Sequence, residues 1–125
     1  MNDDFVTYEL ADKLKEKGYR EKCRKHYYPN SEDWFISSVP ECDNFSSYTD
    51  APTISQVLKW LREEKLILIG LSPMQEYDGD ETIEWCSTVY KADKQGGLSW
   101  QEEFYYQSYE QAALAGIEYV LDNLI

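Results

Sequence analysis

The chain has 125 residues, of which 42% are hydrophobic and 29% charged, and these proportions indicate a globular protein rather than a disordered or fibrous one. The length predicts one domain over residues 1–125. The net charge of −12 argues against direct nucleic-acid binding, because phosphate binding depends on clustered cations. No apolar run approaches the roughly 20 residues that span a bilayer, and the first four residues lack a basic signal-peptide start, so we expect a cytoplasmic protein.

A first helix is predicted near the start of the chain. Asp4 or Thr7 can cap it, and Gly18 stands where a left-handed C-cap residue is wanted. The residues that share its apolar face are Val6, Leu10, Ala11 and Leu14. Residues 1–25 hold 7 Lys/Arg against 6 Asp/Glu, and we interpret these cations as the solvated face of this helix.

Residues 19–50 mix turn-forming residues with aromatic ones and show no clear periodicity. A structureless loop of this length is uncommon in a compact domain. We therefore predict a short extended segment at Trp34, Phe35 and Ile36, bounded by turns at 29–31 and 39–40.

A second helix and a strand are predicted over residues 51–71. Thr53 and Gln56 have the spacing of a capping box. The predicted buried face consists of Ile54, Val57, Leu58 and Leu61. The apolar run that follows, up to Leu71, predicts a strand that is central in its sheet and ends at Pro73.

Two further strands are predicted by alternation. An Asp78-Gly79 hairpin turn leads to a strand with Ile83, Trp85 and Val89 on one face and Glu84, Cys86, Thr88 and Tyr90 on the other. After a turn at 95–97, the next strand is predicted to carry Leu98, Trp100, Phe104 and Tyr106 on one face, with Glu102 as the polar exception.

A last helix is predicted after Ser108 and Gln111, which form a second capping box. Gly116 predicts a place where this helix lies close to the sheet. The apolar stripe consists of Ala113, Ile117, Val120, Leu121 and Leu124. The element order is α, irregular or short strand, α, β, β, β, α. It predicts an α+β domain in which an antiparallel meander of three strands, or four, packs on helices.

The candidate metal and nucleophile residues are Cys23, His26, Cys42 and Cys86. Structural zinc sites use two close ligand pairs, and here only Cys23 and His26 are close, so we interpret the cysteines as buried thiols. A cysteine hydrolase that uses His26 as its base is the weaker alternative.

Acidic residues offer two further candidates. Glu102 lies between apolar neighbours on its predicted strand face, where a general acid or base could have a raised pKa, but an ordinary partner explains it more simply. The cluster of Asp78, Asp80 and Glu81 could bind Ca²⁺ or Mg²⁺ loosely, although a polar hairpin needs no metal. We predict no catalytic residue, no metal site and no cofactor.

Aromatic side chains are the best candidates for a binding site. They make up 15% of the chain, and one group of them lies in the irregular segment. The candidate binding residues are Tyr27, Tyr28, Trp34, Phe35, Phe45, Tyr48 and Trp60. Aromatic residues are enriched at recognition surfaces. The alternative interpretation is that they attach the segment to the core.

Residues 8–19, 52–63 and 108–121 resemble a family of small uncharacterised proteins from Bacteroides-type gut bacteria and their phages and mobile elements. The quoted stretches begin with Tyr-Glu-Leu-Ala-Asp-Lys, Pro-Thr-Ile-Ser-Gln-Val and Ser-Tyr-Glu-Gln-Ala-Ala. The resemblance implies an intracellular α+β protein and no known activity.

Three functions are compatible with these patterns. The absence of catalytic motifs favours a non-enzymatic binding or accessory protein that contacts an unidentified protein partner, with a homodimer as one arrangement. The first alternative is a nucleic-acid-related module, either a helix-turn-helix-like element at 53–65 or an acidic nucleic-acid mimic. The second alternative is a small hydrolase with a Cys/His or carboxylate site.

Overall fold

A computed structural model describes residues 5–21, 23–28, 30–36, 49–75 and 83–125. These residues form three helices and two three-stranded antiparallel sheets, which confirms the predicted α+β class. The chain divides into two compact units, Met1–Gln56 and Val57–Ile125. The single domain expected from the chain length stays a prediction.

The first unit begins with helix α1, Tyr8–Glu16. Thr7 is its N-cap, and the Thr7 Oγ1 atom accepts a hydrogen bond from the Leu10 N–H at 3.3 Å. Gly18 has a φ of +94°, and the Tyr19 N–H donates to the Leu14 carbonyl at 2.9 Å, so the helix ends as predicted. The predicted apolar face is buried, namely Val6, Leu10, Ala11 and Leu14.

A small sheet follows in the region that was expected to be mostly irregular. Its strands are β1 (Lys25–Tyr27), β2 (Trp34–Ile36) and β3 (Thr49–Ala51), in the order β2-β1-β3. The extended segment predicted at Trp34–Ile36 is confirmed as β2, and the structure adds β1 and β3. Buried backbone N–H and C=O groups need partners, and these short ladders provide them. Asn30, with a φ of +56°, lies in the turn between β1 and β2.

Helix α2, Ile54–Glu64, contains the boundary between the two units. Both hydrogen bonds of the predicted capping box are present. The Gln56 N–H donates to Thr53 Oγ1 at 3.2 Å, and the Thr53 N–H donates to Gln56 Oε1 at 2.8 Å. Three residues of the predicted face are buried, Ile54, Val57 and Leu61, whereas Leu58 is half-buried.

The second unit contains the larger sheet, formed by β4 (Ile67–Gln75), β5 (Ile83–Ala92) and β6 (Leu98–Tyr106) in the order β4-β5-β6. The prediction that the first of these strands is central is wrong, because β5 lies between the other two. The prediction that Pro73 ends β4 is also wrong, since Pro73 pairs with Trp85 and the strand continues to Gln75. Proline has no N–H, and an edge strand such as β4 tolerates that loss. The predicted Asp78-Gly79 turn lies outside the described residues.

A β-bulge in β6 changes the predicted alternation of that strand. Val89 pairs with Glu102 and Tyr90 pairs with Trp100, so Gln101 is an extra residue. The single predicted face is therefore wrong: Trp100 lies on the face that carries Tyr90, while Phe104 lies on the opposite face, with its ring 5.7 Å from Tyr119. We call the face that carries Tyr90 and Trp100 the open face. Leu98 and Trp100 are 59% and 55% exposed there.

Helix α3, Tyr109–Asn123, covers the other face of this sheet. Ser108 is its N-cap and accepts a hydrogen bond from the Gln111 N–H at 3.1 Å. The predicted close approach at Gly116 is confirmed, because a Cβ there would lie 3.2 Å from Ile69 Cγ2 and 3.4 Å from Ser87 Oγ. Within the described ranges, every helix is too short or too polar to cross a membrane.

Replacing Gly116 with valine should destabilise the protein. The added methyl groups would press on Ile69 and Ser87, and overpacking of this kind typically costs about 1–3 kcal/mol. Urea unfolding of the full chain measures this loss. Ala115→Val provides the control, because it places the same β-branched residue at the neighbouring, half-buried helix position. Equal stability of the two variants would contradict a tight contact at Gly116.

Candidate functional site: an aromatic pocket in the first unit

One face of the small sheet brings aromatic side chains together. Tyr27 and Trp34 are register partners on β1 and β2, so their side chains lie on the same face. Helix α1 packs on this face, where the ring of Tyr8 meets that of Tyr27 edge to face at 5.3 Å. The Tyr27 hydroxyl donates a hydrogen bond to the Val6 carbonyl at 3.3 Å. These contacts hold Tyr27 in place as the base of a pocket.

The pocket has a volume of about 460 Å³ and combines aromatic rings with carboxylates. It is lined by Thr7, Tyr8, Glu9, Tyr27, Glu32 and Trp34. We call this site the aromatic pocket. Trp34 is 52% exposed, so a large part of its ring is accessible to a ligand. Among the described residues, the lining includes three aromatic side chains and two carboxylates.

The chain's own Lys25 already places an ammonium group against these rings. Its Nζ atom lies 4.6 Å from the centroid of the Trp34 ring and 5.1 Å from that of Tyr27. The ring of Phe5 is a third neighbour, at 5.2 Å. These distances are in the range of cation–π attraction, which is about 6 Å or less. The rings of the pocket therefore attract a cation in this structure.

The local environment also changes the acidity of two groups at this site. Burial lowers the pKa of Lys25, because removal from water disfavours the charged ammonium. Burial raises the pKa of Tyr27, and the nearby Glu32 carboxylate raises it further. Tyr27 therefore stays neutral at physiological pH, and negative charge in the pocket comes from Glu9 and Glu32.

The opposite face of the small sheet contains the only histidine of the chain. The Nδ1 atom of His26 lies 2.7 Å from Asp50 Oδ1, and the ring N–H donates to the carboxylate. The His26 ring also contacts the ring of Phe35 at 5.2 Å. The His26 side chain is fully buried, whereas the Asp50 side chain is 29% exposed, so the imidazole of this pair is not accessible from solvent.

The predicted binding residues fall in three places. Tyr27 and Trp34 line the aromatic pocket. Tyr28 and Phe35 contact each other at 5.2 Å on the His26 face. Trp60 is buried on α2, with the Lys65 ammonium 5.3 Å from its ring centroid. Phe45 and Tyr48 lie outside the described residues.

Sequence reasoning missed Tyr8, Glu9, Glu32 and the role of Lys25. Tyr8 and Glu9 were assigned only to a helix. Lys25 and Tyr27 lie on the same face of β1, but no strand was predicted there, so their proximity was not recognised. Recognising β1 would have placed Lys25 beside the aromatic residues. Helix α1, by contrast, reaches Tyr27 only through tertiary packing.

The candidate metal ligands are only partly described. Cys23 and Cys86 are buried, and Cys42 lies outside the described residues, as do Asp78, Asp80 and Glu81. In the described part of the chain, no group of three or more His, Cys, Asp or Glu side chains is placed to hold a metal ion.

Glu102 has an ordinary local partner, because one of its carboxylate oxygens accepts the Glu103 N–H at 3.0 Å. The more connected carboxylate is that of Glu103, on the open face. It accepts hydrogen bonds from the Tyr105 hydroxyl at 2.6 Å and the Trp100 indole N–H at 3.1 Å. The bulge at Gln101 makes the second bond possible, because it places Trp100 and Glu103 on one face.

Comparison of the chain with protein families, with curated proteins and with solved structures found no match. The resemblance described above therefore stays a prediction.

Removing the Asp50 carboxylate should destabilise the protein. Asp50→Ala leaves the buried His26 ring N–H without its acceptor, and an unsatisfied buried donor costs about 1–3 kcal/mol. Asp33→Ala is the control, because Asp33 is exposed in the turn before β2. Thermal and urea unfolding measure both variants, and equal stability would show that the His26–Asp50 bond contributes little.

Glu103→Gln should lower the pKa of Tyr105. The hydrogen bond to Glu103 and the nearby Cys86 and Glu103 charges raise the pKa of Tyr105 from 10.0 to about 12. Because the folded-state pKa is raised, any stability that this bond contributes is complete below pH 10.0 and is lost as the pH rises through about 12.

A pH titration, monitored by NMR of tyrosine labelled at Cζ, measures the pKa. The Tyr105→Phe variant assigns the Tyr105 signal. Glu110→Gln is the control, because it neutralises a carboxylate on α3 instead. An unchanged Tyr105 titration in Glu103→Gln would contradict the assigned cause.

Proposed function

We propose that this protein is a binding protein that holds a lysine or arginine side chain of a partner protein in the aromatic pocket. The observation that carries the proposal is the combination of Tyr8, Tyr27 and Trp34 with the carboxylates of Glu9 and Glu32 around one open volume. The proposal gives the predicted protein–protein function a specific site and a specific chemistry.

The chemistry of the pocket favours a cation. The face of an aromatic ring carries partial negative charge and attracts ammonium and guanidinium groups. Lys25 demonstrates this attraction within the chain, since its ammonium lies against Trp34 and Tyr27. Glu9 and Glu32 add two negative charges to the lining, which exceed the single positive charge that Lys25 places beside the Trp34 and Tyr27 rings.

The accessibility of the pocket favours a side chain on a protein surface. The Trp34 ring is more than half exposed, and exposed tryptophan and tyrosine are typical anchors of protein interfaces. A chain with a net charge of −12 attracts basic protein surfaces over long distances. A cytoplasmic location is part of the proposal and is supported by the cysteine count of three, which is too low for a disulfide framework.

A peptide titration tests the proposal. The full chain, labelled with ¹⁵N, is titrated with a short end-blocked peptide whose only charge is that of one central lysine, and with the same peptide in which norleucine replaces the lysine. We expect saturable shifts of the Trp34 indole N–H signal and tighter binding of the lysine peptide by about 2- to 30-fold, the range of cation–π energies of about 0.5–2 kcal/mol.

Two variants of β2 distinguish lysine binding in the aromatic pocket from binding elsewhere on the same strand. Trp34→Ala should abolish the preference for lysine. Ile36→Ala should retain it, because Ile36 is a similarly exposed residue of the same strand that does not line the pocket. Equal binding of the norleucine peptide, or a lysine preference that survives in Trp34→Ala, would overturn the proposal.

A further inference from the structure

A second cavity lies in the other unit, between helix α2 and the open face of the larger sheet. It is a groove of about 250 Å³. Its lining residues are Leu58, Arg62, Leu68, Ile69, Gly70, Tyr90 and Leu98. We call it the Arg62 groove. Nothing in the proposed cation site uses it, and all of its residues belong to the unit Val57–Ile125.

The missing side chain of Gly70 leaves room in the groove. A Cβ at this position would have no atom within 4 Å, so the space above the strand is empty. The neighbouring pair of Leu68 and Tyr90 extends the same surface. The bulge in β6 adds Leu98, which would lie on the α3 face if the strand kept a regular alternation.

Among the described residues, the lining of the groove is apolar except for two hydrogen-bond donors. Arg62 contributes a charged guanidinium, and Tyr90 contributes a hydroxyl. Neither side chain has a hydrogen-bond or ion-pair partner within the described part of the chain. Arg62 and Leu58 are four residues apart on α2, so the guanidinium and an apolar group stand on one helix face.

The unit around the groove is otherwise acidic. Residues 57–125 contain 5 Lys/Arg against 13 Asp/Glu. An unpaired guanidinium beside an apolar cavity is therefore a local exception to the surrounding charge. Arginine binds carboxylates through two parallel N–H···O bonds, and such charge-assisted bonds are stronger than neutral ones.

We propose that the Arg62 groove binds a small amphipathic carboxylate, with its anionic head on Arg62 and its aliphatic body along Leu58, Leu68 and Leu98. The volume is slightly below the roughly 300–1,000 Å³ of sites for drug-sized ligands, so the ligand is a short one. A medium-chain fatty acid has this combination of one carboxylate and one apolar chain.

The test uses octanoate, with octanol and octylammonium as probes of the same chain length. Binding to the full chain is measured by ¹H–¹⁵N NMR titration. We expect saturable shifts at residues 68–70 and 90, about tenfold tighter binding of octanoate than of octanol, and the weakest binding for octylammonium, because Arg62 repels its ammonium group.

Variants of the chain test which residues bind the carboxylate of the ligand and which bind its aliphatic chain. Arg62→Gln should bring octanoate binding down to that of octanol. Lys59→Gln should leave it unchanged, because Lys59 is an exposed cation of the same helix that does not line the groove. Gly70→Val should block binding of all three probes by filling the empty space. Leu98→Glu, at a 59% exposed position, should repel octanoate without disturbing the fold.

Three results would overturn the proposal. One is octanoate binding no tighter than octanol. Another is octanoate binding that survives in Arg62→Gln and in Leu98→Glu. The third is a concentration-dependent shift of the groove signals without ligand that Gly70→Val abolishes, since this result would assign the groove to a second copy of the chain.

Discussion

Strand register is the constraint on which both sheets depend, because a shift of one residue moves every side chain of a strand to the other face. In the small sheet, the pairing of Tyr27 with Trp34 places two rings beside Lys25 and sends His26 to the opposite side. In the larger sheet, one extra residue, Gln101, reverses the direction of Leu98 and Trp100 relative to Phe104. Both candidate sites result from these registers.

The two proposed sites favour ligands of opposite charge for local reasons. The aromatic pocket combines the faces of aromatic rings with two carboxylates, whereas the Arg62 groove combines aliphatic side chains with one guanidinium. The net charge of −12 influences partners as they approach the surface, and salt largely screens this effect beyond roughly 8–10 Å. Within a pocket, the nearest groups decide which ligand is favoured, so an acidic protein can still hold a site for an anion.

The sequence predicted the helices well because their signals are local. The capping residues Thr53 and Ser108 are followed after three residues by Gln56 and Gln111, and the structure contains these caps. Gly116 was predicted to mark a close approach, and it does. The sheet order was harder, since an apolar run such as 67–71 occurs at an edge as well as in the centre. The bulge at Gln101 had no clear signal, because a polar residue also fits a regular alternation.

The sequence by itself determined the α+β class, the ends of the helices and the aromatic content of residues 19–50, because caps, turns and periodicity act between residues that are close along the chain. Only the tertiary structure decided which aromatic residues come together in the candidate site. Tyr8 on α1 meets Tyr27 on β1 through packing, and the Arg62 groove requires α2 to lie beside three strands. Contacts between residues distant along the chain depend on strand register, and the volume of the groove depends on the empty space at Gly70. Neither feature is visible in local sequence patterns.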